Sequence, residues 1–125
     1  MLVNPGGGSA KKVLETLRAD PRFAVHETDP KQLGERIKQL RGSGERRIGV
    51  SGGDGTITSA ASTLAGTNTE LAVIPGGTLN HLARDTGIPV EPDKAAELAA
   101  TGTARPIDAA TVFAYLCEHF YIIFF

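Results

Sequence analysis

The 125-residue chain carries 13 basic and 14 acidic side chains, a net charge of −1, with 15 glycines, 7 prolines and a single cysteine. This is the length of one domain with a real core, and the balanced charge leaves no electrostatic footprint for DNA or RNA, so Glu45-Arg46-Arg47 reads as a solvated turn. Cys117 alone excludes an internal disulfide framework and, among apolar and aromatic neighbours, reads as a buried structural thiol; with no run of roughly 20 apolar residues to span a bilayer and no secretory leader, the chain reads as cytoplasmic.

A first strand is predicted over Met1–Val3, running into Asn4-Pro5-Gly6-Gly7-Gly8, with Ser9 as N-cap of a helix whose Val13, Leu14 and Leu17 share a face. Phe23–Glu27 alternates as a second strand, and Pro30 opens a helix carrying Leu33, Ile37 and Leu40. Arg47–Ser51 is a third strand, and Ile57, Ala61 and Leu64 mark a helix that ends near Gly66. Leu71–Pro75 is a fourth strand, followed by Gly76-Gly77-Thr78 and a helix over Leu79–Thr86, closed by Gly87 and Pro89. Asp93–Thr101 is an alanine-rich helix behind Pro92.

Strands alternating with helices through short glycine-rich turns predict an α/β fold of three layers, an open, mostly parallel sheet flanked by helices. Right-handed crossovers place every strand-to-helix loop at one edge of such a sheet, where ligands bind. Asn4–Ser9, Gly52–Thr56 and Gly76–Thr78 should therefore converge. The ending differs: six of the seven aromatic residues fall in the last 13 positions. Ile107–Leu116 and Phe120–Phe125 are predicted as two strands turning at Cys117-Glu118-His119. A hairpin that finishes the sheet would end the chain on an exposed apolar edge, so residues 105–125 are read as the start of a second β domain, with 1–104 as the α/β lobe.

Three glycine loops, each leading into a helix N-terminus, form an anion site, because free N–H groups and the helix dipole favour phosphate. The common templates do not fit. "GGGSAKK" lacks the glycine before the lysine of a P-loop, and Gly53-Asp54-Gly55-Thr56-Ile57 meets Thr58 where a dinucleotide fingerprint needs glycine. An acid in a phosphate loop repels the anion, so Asp54 points either to a nucleotide bound with Mg²⁺ or to a base beside an acceptor hydroxyl.

"GGDGT" at 52–56 resembles the signature shared by diacylglycerol kinases, sphingosine kinases, NAD kinases and phosphofructokinases. "VNPGGGS" at 3–9 and "IPGGTLNHLARDTGIP" at 74–89 are similar to the flanking motifs of the diacylglycerol kinase group, in the same order, and "RPIDAATV" resembles that group's crossover into a second domain. The resemblance implies a two-lobed lipid kinase that transfers the ATP γ-phosphate to a lipid hydroxyl such as that of diacylglycerol. This chain would be its ATP-binding lobe, with Mg²⁺ as cofactor. Carried over, Asn4, Pro5, Gly6, Gly7 and Gly8 would lie by the nucleotide with Thr28. Gly52, Gly53, Asp54, Gly55, Thr56 and Ile57 would wrap the phosphates, continuing into Thr58 and Ser59, which stand where relatives commonly carry Asn-Glu. Gly77 and Thr78 would close the third side. Asp54 would orient the acceptor hydroxyl or hold Mg²⁺, Asn80 would orient the third loop, and His81, where many relatives have Asp, reads as a tolerated alternative. The other readings are a non-catalytic phosphate-binding module that pairs with a partner, or a second copy, through its hairpin, and a kinase similar to NAD kinases. The NAD kinase pattern expects Asn-Glu after a strand, whereas "NTE" at 68–70 precedes one. Membrane contact would be transient and peripheral.

Overall fold

The computed structural model describes residues 1–110 and 117–124, with side-chain surroundings given through Asp108. Among the described residues, six strands and five α-helices follow one another as β1 Leu2–Val3, α1 Ala10–Arg18, β2 His26–Glu27, α2 Leu33–Gly42, β3 Arg47–Gly52, α3 Asp54–Leu64, β4 Glu70–Pro75, α4 His81–Asp85, α5 Pro92–Thr101, β5 Thr103–Ala110 and β6 Cys117–Phe124. They form one sheet in the order β2-β1-β3-β4-β6-β5. Its first four strands are parallel, β6 joins β4 in parallel at Glu70↔Tyr121 and Leu71↔Ile122, and β5 closes the far side antiparallel to β6. Helices α1 and α5 pack together, as do α2 and α3, which gives the three predicted layers.

The apolar runs of β3 and β4 are buried because helices cover both faces of a parallel sheet. Val13 and Leu17 of α1, Ile37 of α2 and Leu64 of α3 are the buried stripe of each helix, and all pack into one core with Leu2, Val50 and Ile74. Helices α2, α3 and α4 are each followed by a glycine in the left-handed region, Gly44, Gly66 and Gly87 at φ of 92°, 70° and 74°. The chain passes outward from β1 to β2 and then back across β1 to β3, so the strand order reverses between β1 and β3. Open α/β sheets hold ligands at such a switch, outside the carboxyl ends of the strands.

Several local expectations are corrected. β2 is confined to His26–Glu27 because, as an edge strand, it pairs only with the two residues of β1; Phe23 and Val25 pack on the core outside the ladder. Ser9 occupies the N-cap of α1, but with φ −103° and ψ 6° its hydroxyl makes no cap bond. Pro30 opens a short 3₁₀ turn whose cap is Asp29, accepting from the Lys31 N–H at 2.8 Å. The helix predicted from Leu79 begins only at His81, because Asn80 sits at φ 53°. Cys117, Glu118 and His119 are ladder residues opposite Ala110, Ala109 and Asp108, not a turn; the Cys117 side chain and residues 111–116 lie outside the described part.

Arg47 is no solvated turn residue. Its Nε donates to Glu70 at 2.7 Å across the β3–β4 pair, and its other nitrogens donate to the carbonyls of Ala99, Ala100 and Gly102 at 3.0–3.2 Å. The cation thereby caps the negative end of α5. Arg47→Met is expected to lower the unfolding free energy by about 2–3 kcal/mol, because it strands a half-buried carboxylate and three carbonyls. Urea unfolding measures this, and a loss below about 0.5 kcal/mol would reduce the clamp to an ordinary surface contact.

Candidate functional site

The first loop follows β1. The Asn4 N–H donates to Ser51 O at 3.0 Å, which carries the β1–β3 pairing past the end of the strand. Its side-chain Oδ1 accepts from the Gly6 N–H at 2.9 Å, folding the loop back on itself as an Asx turn, and its Nδ2 reaches Thr56 Oγ1 at 3.4 Å in the second loop. The Ser9 N–H points at Gly76 O, 3.5 Å away, in the third.

The second loop hands β3 to α3. Gly53 is the N-cap, and the first bond of the helical ladder runs from the Ile57 N–H to Gly53 O at 3.1 Å. The amides of Asp54, Gly55 and Thr56 precede that ladder, so they lie at the positive end of an eleven-residue helix.

The third loop leaves β4. The Gly76 N–H donates to Gly52 O at 2.9 Å, and Asn80 clasps Gly77, accepting from its N–H at 3.0 Å and donating to its carbonyl at 2.8 Å. Here glycine is required by space. A Cβ on Gly77 would stand 2.6 Å from the Gly53 Cα, and one on Gly76 would stand 3.1 Å from Ser51 Oγ. The three loops are therefore one structure at one edge of the sheet, held by hydrogen bonds between residues up to 67 positions apart (Ser9 to Gly76).

Asp54 is the acid within this group. Its Oδ1 accepts from the backbone N–H of His81 at 2.7 Å, and its Oδ2 lies 3.4 Å from His81 Nδ1. The carboxylate thus ties the start of α3 to the start of α4 while remaining 37% exposed. Among the described residues no group of three or more His, Cys, Asp or Glu side chains could hold a metal ion.

The other expected residues sort themselves by position. Pro5, Gly6, Gly7 and Gly8 form the first loop, and Thr78 is exposed beside Gly77. Ile57 departs from the group: its side chain is 4% exposed in the core and its N–H is spent inside α3, so it anchors the helix instead of facing a ligand. Thr58 and Ser59 are exposed on α3 beyond its first turn. Thr28 is buried one strand outward, where its N–H donates to Val3 O at 2.9 Å. It lines a polar groove of about 580 Å³ with Glu27, Gln32, Glu35 and Arg36. A second hollow, of about 530 Å³, is walled by Met1, Phe23, Leu40 and Ile48, away from the loops. Gly76 was legible as part of the third converging loop, but the hydrogen bond from the His81 N–H to Asp54 was not, because it joins positions 27 apart and has no local signal.

The chain is similar to known proteins. A model of the family described as "Diacylglycerol kinase catalytic domain" matches residues 1–112. The chain is 39% identical over 70 residues to a "Diacylglycerol kinase" of Mycobacterium tuberculosis, covering 55% of this chain and 23% of that one. It is 41% identical over 78 residues to a "Probable lipid kinase YegS-like" of Pseudomonas aeruginosa, covering 61% and 26%. Its fold matches the crystal structure of a diacylglycerol kinase from Bacillus anthracis str. Sterne with a TM-score of 0.67 at 30% identity, over 86% of this chain and 43% of that one. The chain spans about a quarter of the length of these curated relatives. With its family match running through the three loops and the sheet that gathers them, the chain belongs to the diacylglycerol kinase catalytic-domain family.

Proposed function

We propose that this chain is the ATP-binding lobe of a lipid kinase, which transfers the γ-phosphoryl group of ATP to the hydroxyl of a lipid such as diacylglycerol. The observation that carries the reading is the convergence of three glycine loops around one helix N-terminus with one carboxylate among them. Phosphoryl transfer asks the protein for position and charge more than for covalent chemistry. The amides of Asp54, Gly55 and Thr56, together with Gly6–Gly8 and Gly77-Thr78, fit a polyphosphate, since a Cβ at Gly8 or Gly55 would meet nothing within 4 Å and the backbone there is open to approach.

Among the described residues, the loops do not fit a magnesium ion held by protein side chains alone. Asp54 is the single acid among the loops, and both its oxygens face His81. Magnesium is accordingly assigned to the nucleotide's own phosphates, and Asp54 to orienting the acceptor hydroxyl. The β5–β6 pair joins the lobe's own sheet through β4, and it is proposed to lead into a second β domain that would admit the lipid. Among the described residues no helix is long and apolar enough to cross a membrane, and contact with a bilayer substrate is proposed to be transient.

Calorimetric titration with ATP, followed by a transfer assay on diacylglycerol in mixed micelles, tests this reading. Binding is expected in the range of about 1 μM to 1 mM. No binding at several times the upper end of that range would overturn the nucleotide assignment, whereas ATP binding without transfer by a protein that carries this lobe together with its second domain would leave a nucleotide-binding module and withdraw the kinase reading.

A further inference from the structure

The third loop is held from two sides, and the residue between the two holds is free. Asn80 clasps both backbone groups of Gly77, its Oδ1 accepting from the N–H at 3.0 Å and its Nδ2 donating to the carbonyl at 2.8 Å. Arg84 Nε donates to the carbonyl of Leu79 at 2.8 Å. Thr78 stands between them, exposed, and its hydroxyl has no partner among the described residues. The loop has no slack toward its neighbour either, since a Cβ on Gly77 would stand 2.6 Å from the Gly53 Cα.

The clasp depends on an uncommon backbone. Among the described residues Asn80 is the one non-glycine with a positive φ, at φ 53° and ψ 50°. It occupies the N-cap position of α4, yet its side chain makes no cap bond there. A side chain that leaves its local cap role unfilled, on a backbone few residues adopt, is being used elsewhere. Asparagine is among the few L-residues that enter the left-handed region, and its amide carries both the acceptor and the donor that the two groups of Gly77 require. Glycine could make the turn but hold nothing.

We propose that Asn80 is a positioning residue for Thr78. By fixing both backbone groups of Gly77 it holds the Thr78 hydroxyl toward the polyphosphate of the bound nucleotide. This role rests on the nucleotide reading above.

A double-mutant cycle on ATP affinity tests it. Thr78→Val removes the hydroxyl, and Asn80→Gly removes the clasp while keeping the left-handed turn accessible. Calorimetry should show each single variant weakening ATP about tenfold. Because Asn80 acts through Thr78, the double variant should stay within about threefold of the weaker single variant. Independent sites would instead multiply to a roughly hundredfold loss, as would an asparagine that merely supports the fold. Amide exchange adds a readout without ligand. In Asn80→Gly the Gly77 N–H should exchange about tenfold faster or more, and in Thr78→Val its rate should not change. An Asn80→Gly protein that binds ATP within about twofold of wild type, losses that multiply in the double variant, or an unchanged Gly77 exchange rate would each overturn the proposal. If the wild-type protein binds no ATP, the nucleotide reading itself fails and the role of Asn80 falls with it, an outcome that the wild-type titration separates from the others.

Discussion

Gly77→Ala is expected to force the second and third loops apart. The added carbon would stand 2.6 Å from the Gly53 Cα and 3.2 Å from Asn80 Oδ1, and the nearer of these is backbone that cannot swing aside. Either β4 shifts relative to β3, which breaks the Gly76 N–H bond to Gly52 O, or α3 tilts at its first turn. Overpacking of this kind costs about 1–3 kcal/mol, and urea unfolding should register a loss near the upper end of that range. ATP binding should fall further than stability, because the displaced backbone is the part assigned to phosphate. Gly55→Ala is the control. A Cβ there meets nothing within 4 Å, and alanine is the better helix former by about 0.8–1 kcal/mol, so the fold should hold or gain. If Gly77→Ala unfolds at the wild-type urea midpoint, the close approach of the two loops is not a constraint on this fold.

Asp54→Asn should abolish most of the proposed transfer while leaving the structure intact. The asparagine oxygen can accept the same His81 N–H that Asp54 Oδ1 accepts at 2.7 Å, so the tie between α3 and α4 survives. What is lost is the negative charge that would orient the acceptor hydroxyl and receive its proton. Removing a positioned acid–base group costs about 10²–10⁴-fold in rate. ATP binding should hold or tighten, because a carboxylate beside bound phosphates is repulsive and its removal relieves them. Steady-state transfer combined with calorimetric titration separates the two effects. A variant that keeps transfer within about threefold of wild type would exclude Asp54 from the chemistry, even with the fold and the nucleotide site unchanged.

Most of the architecture was legible in the residues. The apolar spacing in Val13, Leu17 and in Leu33, Ile37 gave two helices and their buried faces, and "RIGVS" and "LAVIP" gave strands that lie at the centre of the sheet. The ends were less legible, because a strand's length depends on its neighbour. Phe23–Glu27 has strand character throughout, yet β2 pairs only at His26 and Glu27, where β1 stands beside it. Likewise Cys117-Glu118-His119 has polar residues suited to a turn, but the pairing with β5 draws it into the ladder.

By itself the sequence determined that glycine loops would end three parallel strands and meet at one edge. Alternation, helix caps and crossover handedness are local or topological rules that need no coordinates. Tertiary structure alone decided which atoms touch there. It set Gly77 against Gly53, seated Arg47 under the end of α5, turned Ile57 into the core, and gave Asp54 to His81. Those contacts join residues 23 to 55 positions apart, or depend on the rotation of a single helix, and no spacing along a chain encodes them. They are fixed only when the sheet register and the packing of both helical layers are satisfied together.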